Sequence, residues 1–271
     1  MRDKKTLILE RQKRGQVSKE EIETFSESSV EELLKLLNSN EPKERTIAAI
    51  IIGKSKCVDL ILPLCSALQK EKSLYPRIAI SEALGKMGET VVASLISLLG
   101  QIGNNQEREL PTKYFNKKSY PLARDIVART LIKIGKAAIP GLIIKIEISD
   151  GFETQQAIDV LGGITNKTND KRALPIMIGL LDKYSNNRVT VWKIVRALSG
   201  FKFVEAVAPL IKAYENSLEP SIRWEAIRSI GQIGIATPGA VEVLQKSLED
   251  GNVEVRESTK VAIEQMNTSI E

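Results

Sequence analysis

A short phrase recurs along this chain and constrains its fold more than any other feature. Ala83-Leu84-Gly85-Lys86-Met87-Gly88 returns as Thr130-Leu131-Ile132-Lys133-Ile134-Gly135 and as Ser229-Ile230-Gly231-Gln232-Ile233-Gly234. Looser copies stand at Val160-Leu161-Gly162-Gly163 and Ala197-Leu198-Ser199-Gly200. Such self-similarity marks a stacked array, in which each unit buries its apolar face only against its neighbours. Aligned on the leucine position, the units fall at Ile52, Leu84, Leu131, Leu161, Leu198, Ile230 and Ile263. The intervals are 32, 47, 30, 37, 32 and 33 residues. A unit of about thirty residues holds two short helices and their turns.

The first helix of each pair (A) carries a proline near its start, at Pro63, Pro140, Pro175 and Pro209. Proline is tolerated there because the missing N–H has no intrahelical partner. The second helix (B) begins near an arginine seven residues before the leucine position: Arg45, Arg77, Arg124, Arg223 and Arg256. These arginines are expected to form a ladder, each bonding to the turn of a neighbouring unit. The glycines closing helix B suit a left-handed C-cap. The spacing predicts an all-α solenoid of about seven pairs, near 29–54, 57–88, 90–135, 136–164, 170–200, 203–234 and 237–267. Residues 1–28 form a helical lead-in that caps the array of 29–271, with Ser18-Lys19-Glu20-Glu21 as a capping box. The 47-residue interval holds an insertion near 103–119, in which Tyr114 and Phe115 stand among lysines. A loop of this length is a candidate to fold over the inner face or to touch a partner.

Composition narrows the chemistry. There is no histidine, which removes Ser-His and Cys-His nucleophiles, histidine general bases and histidine-bound metals. Aromatics make up 4% of the chain, so Leu, Ile, Val and Ala carry the apolar load, as close-packed helices require. The net charge of +5 permits an anionic partner without demanding one. Cys57 and Cys65 have no zinc or disulfide spacing. Neither a signal peptide nor a membrane span is predicted, so a cytoplasmic, non-enzymatic protein without metal or cofactor is expected.

Ile222-Arg223-Trp224-Glu225-Ala226-Ile227-Arg228-Ser229-Ile230-Gly231-Gln232-Ile233-Gly234 resembles helix B of HEAT repeats, in the short form found in bilin-lyase-like proteins. Tyr75 to Gly85 is similar, and Ala137-Ala138-Ile139-Pro140-Gly141-Leu142-Ile143 looks like the family's helix A. The resemblance spans about 29–267. It implies a right-handed superhelix with helix B on the concave face, used mostly as an interaction scaffold.

On that face, the position six residues before the leucine is expected to be partly exposed. It holds Thr46, Ile78, Asp125, Gln155, Trp192, Trp224 and Glu257. Four residues further on, the same face carries Ile50, Glu82, Arg129, Asp159, Arg196, Arg228 and Val261. Trp192 with Arg196 beside Trp224 with Arg228, flanked by Asp159 and Arg129, is the predicted partner-binding patch, since rings and guanidiniums make binding hot spots. A protein or peptide is the leading partner. Nucleic acid is the second reading, with Asp159, Arg196 and Trp224 arranged in the manner of the HEAT-like alkylpurine DNA glycosylases. Handling of a bilin or its carrier protein is the third.

Overall fold

The structure, a computed structural model, describes residues 4–102, 107–112 and 125–268. Every regular element among these residues is a helix. The chain divides into two compact units, Met1–Gly103 and Asn104–Glu271.

The first unit opens with α1 (Lys4–Lys13) and α2 (Lys19–Glu23), both packed on α4. The capping box is present: Ser18 accepts from the Glu21 N–H, and its own N–H donates to the Glu21 carboxylate at 2.7 Å. Two pairs follow, α3 (Val30–Leu37) with α4 (Pro42–Ser55) and α5 (Ile61–Lys70) with α6 (Leu74–Lys86); α7 (Val92–Ser97) ends the unit. The B helices α4 and α6 pack together, and α5 touches α3 and α7. The result is two helix layers.

The second unit repeats this arrangement. Its B layer is α8 (Ile126–Ile134), α10 (Phe152–Thr168), α12 (Arg188–Leu198), α14 (Pro220–Ile233) and α16 (Val253–Thr268), each packed on the next. Its A helices are α9 (Ile139–Ile148), α11 (Leu174–Lys183), α13 (Val207–Asn216) and α15 (Pro238–Ser247). Pro140, Pro175 and Pro238 occupy the first helical turn, where an amide hydrogen would be wasted.

The phrase that announced the array has a packing reason. Ile52, Leu84, Leu131, Leu161, Leu198 and Ile230 are completely buried. Ile263, on the last helix, is half-buried. The first glycine of the phrase sets the spacing between B helices. A Cβ on Gly53 would lie 2.7 Å from Ala83 Cα, and one on Gly231 would lie 2.6 Å from Ala262 Cα. In both cases the alanine precedes the leucine position of the next unit, so the glycine of one unit meets the alanine of the following one. The last glycine does a different job. Gly234 caps α14 at φ +69°, a left-handed conformation that costs glycine nothing.

The arginines form a ladder, but each bonds first to the turn of its own unit, and of those described only Arg45 and Arg223 also reach the turn of a neighbouring unit as expected. Arg45, Arg77, Arg223 and Arg256 each donate to the carbonyl six residues earlier, in the turn before their own helix: Ser39, Glu71, Ser217 and Asp250. Arg45 also grips the Glu71 carboxylate at 2.7 and 3.0 Å, and Arg223 grips Asp250 at 2.7 and 2.9 Å, each in the next turn. Each of these two acids therefore takes one arginine on its side chain and the next on its carbonyl. Where the arginine is missing, Thr154 donates to the Ser149 carbonyl instead. Arg124 lies outside the described residues.

Candidate functional site

The B helices of the second unit carry a concentration of buried polar side chains. Gln155, Asp159, Thr190, Lys193, Arg196, Glu225 and Arg228 all belong to α10, α12 and α14, and all are buried. At its centre is Asp159. One carboxylate oxygen accepts from Arg196 at 2.6 Å and the other from Lys193 at 2.9 Å. Burial pushes this carboxyl upward, but the charges and hydrogen bonds of Arg196 and Lys193 outweigh it and hold Asp159 below the usual carboxylate range. Arg196 has a second acid, Glu107, at 2.7 Å. The guanidinium of Arg196 lies 4.5 Å from the ring centre of Trp192, one helical turn earlier. On α14, Arg228 lies 5.8 Å from the Trp224 ring centre and pairs with Glu225 at 2.7 Å.

Burial corrects one expectation. The Trp192 and Trp224 slot was expected to be partly exposed, yet the two tryptophans are only 2% and 3% exposed. Arg196 and Arg228 are equally covered, at 2% and 6%. The cause is mutual cover. Each guanidinium packs over the ring one turn below it; carboxylates from other segments, Asp159 and Glu107, lie against Arg196, and Glu225 of the same helix lies against Arg228. The same slots are open elsewhere: Ile78 and Glu82 on α6 are exposed, as are Glu257 and Val261 on α16. Asp125 leaves the row altogether, because it caps α8 by accepting from the Val127 N–H at 2.8 Å.

The structure thus brings Trp192, Arg196 and Asp159 into one cluster, and Trp224 with Arg228 into another on the next B helix. Arg129 stands exposed on α8, which packs against α10. Tyr114 and Phe115 lie outside the described residues. The part of the insertion that is described, 107–112, joins the cluster through Glu107, and through Arg108, whose guanidinium lies 4.4 Å from the Phe152 ring centre.

Sequence reasoning missed Lys193, Glu107 and Glu225. Lys193 left a signal, since it is a cation set between Trp192 and Ile194-Val195. Nothing in the sequence distinguishes Glu107 from its neighbour Glu109. The Asp159 carboxylate that the nucleic-acid reading requires is engaged by two cations, as an ion-pair acceptor.

Residues 184–264 match the family described as HEAT repeats. Residues 184–264 therefore carry HEAT repeats. The HEAT match contains Trp192, Lys193, Arg196, Trp224, Glu225 and Arg228, and so covers two of the three helices of the polar layer. A designed armadillo repeat protein is similar over 88% of this chain and 100% of its own, at 17% identity and a TM-score of 0.44. The Escherichia coli protein YibA is similar over 93% of this chain and 98% of its own, at 14% identity and a TM-score of 0.42. No curated protein matches the chain. No described helix is long and apolar enough to cross a membrane.

Proposed function

We propose that this HEAT-repeat chain is a binding scaffold rather than a catalyst, and that α10, α12 and α14 hold a protein or peptide partner. HEAT repeats are generally used for protein binding. The observation that supports placing the partner here is the buried polar layer. Burying ion pairs costs about as much desolvation as their attraction returns, so a fold needing only stability is served as well by leucine. At two other B-helix seams the close contact is glycine on alanine: Gly53 meets Ala83, and Gly231 meets Ala262. The charges are concentrated where the two tryptophans stand.

Capture from native lysate, followed by hydrogen exchange on the captured complex, tests the reading. Protection centred on α10, α12 and α14 is the expected result. Protection confined to the A helices moves the site elsewhere, and failure to capture any partner even after cross-linking removes the scaffold reading.

A further inference from the structure

We infer that the turns leading from B helices to A helices in the second unit bind the phosphate backbone of a nucleic-acid duplex without reading its bases. This surface shares no residue with the buried polar layer.

The second unit has eleven described lysines. Six of them, Lys145, Lys183, Lys193, Lys212, Lys246 and Lys260, each pair with a carboxylate. The other five are Lys133, Lys136, Lys167, Lys171 and Lys202. All five are exposed, and none forms an ion pair among the described residues. They occupy three consecutive turns of one kind, α8 to α9, α10 to α11 and α12 to α13. A stacked array sets such turns side by side along one edge. Contacts between the turns make the row continuous: Arg172 donates to the Lys136 carbonyl at 3.1 Å, and the Lys171 ammonium lies 5.8 Å from the Phe203 ring centre. The acids in the row are Glu205 and Asp170, and Arg172 holds Asp170 at 2.9 Å. Six cations therefore stand against two acids. The turns of the other kind, from A to B, are rich in acids, and the lysines beside them are paired: Lys183 with Asp150, Lys212 with Asp182 and Lys246 with Glu215.

A row of like charges costs the fold stability through self-repulsion, and an external polyanion relieves it. Neighbouring helices lie about 8–10 Å apart, so three turns span about 16–20 Å, roughly half a helical turn of duplex. Ammonium groups on flexible stems meet phosphate oxygens as point charges, without fixed geometry. Other partners fit less well. Peptide hot spots use aromatic or arginine anchors seated in pockets, whereas these lysines stand exposed on turns. A membrane surface calls for apolar side chains that insert, and Val204 is the one large apolar side chain exposed in these turns among the described residues. Unpaired bases need open aromatic faces on which to stack, and Phe203 is half-buried beside Lys171.

The full chain is titrated into a fluorescein-labelled duplex of about 20 base pairs, and anisotropy is read at about 50 and 200 mM salt. Five phosphate contacts give a log–log salt slope of about −4.5, a loss of about 500-fold over that range. The triple variant Lys133→Gln, Lys167→Gln, Lys171→Gln should bring the slope to about −2 and weaken binding at the lower salt by at least about tenfold. The triple variant Lys183→Gln, Lys212→Gln, Lys246→Gln removes the same charge from exposed lysines that have acid partners, and should stay within about threefold of the parent. Thermal midpoints confirm that both variants are folded. Equal losses from the two triple variants overturn the inference, as does a parent that fails to bind the duplex or binds it equally at both salt concentrations. Tighter binding of polyglutamate, of phosphatidylserine vesicles or of single-stranded oligothymidine than of the duplex also overturns it. Capture of a protein partner on α10, α12 and α14 is read separately, so the scaffold reading stands or falls on its own.

Discussion

The guanidinium of Arg196 lies 4.5 Å from the ring centre of Trp192, and both side chains are buried. The ring is therefore part of the packing as well as part of the patch. Trp192→Ala should cost about 3–5 kcal/mol of stability, the range for deleting a large buried aromatic. Trp192→Phe should cost less. Urea unfolding followed by circular dichroism measures both. An alanine variant as stable as the parent would place the indole outside the core.

Asp159 bridges two buried cations, so its loss removes a carboxylate from both Lys193 and Arg196. Asp159→Asn should destabilise the chain by about 3–5 kcal/mol, the usual effect of breaking a buried ion pair from one side. Adding Lys193→Met should recover part of that loss, since it removes one of the two cations that Asp159 served. The double variant being less stable than Asp159→Asn alone would show that Lys193 contributes through more than this pair.

The ladder makes stability depend on acid. Burial raises the Asp250 carboxyl, but Arg223, the Asn252 N–H and Tyr214 outweigh it, and the net shift is downward; Glu71 beside Arg45 behaves in the same way. A carboxyl with a lowered folded pKa contributes stability above its unfolded value, about 3.9 for Asp and 4.3 for Glu. That contribution disappears as pH falls through the folded value. The parent should hold its thermal midpoint near neutrality and lose it below about pH 4. Asp250→Asn should be less stable at pH 7 and should have a flatter acid limb. Midpoints measured across pH for the two chains check this, and parallel acid limbs would contradict it.

Two helical glycines should respond in opposite directions to the same change. Gly231→Ala drives a methyl into Ala262 and should cost about 1–3 kcal/mol, as overpacking does. Gly179, in α11, has open space where a Cβ would stand, so Gly179→Ala should stabilise by about 0.5–1 kcal/mol. Differential scanning calorimetry reads both signs in one experiment.

The array was legible because its signals are local and periodic. The spacing of the leucine position, the prolines of the A helices and the Ser18 capping box each depend on residues within a turn or two, and each stands where it was expected. The exposure of the tryptophans was not legible. A helical period says which side chains share a face, but not whether a glutamate far along the chain covers that face. Lys193 escaped because its partner is 34 residues away, on another helix. The arginine ladder was half legible: the repeat placed the arginines, while the choice of Glu71 and Asp250 as their acids depends on the stacking of successive turns.

The glycine-to-alanine seam recurs with the same two residues at α4–α6 and at α14–α16. Matching joints of this kind make helix pairs interchangeable parts. A pair cut out between two such seams could be grafted at the other, or duplicated to lengthen the stack, because both joints carry the same missing methyl and the same arginine–carboxylate pair.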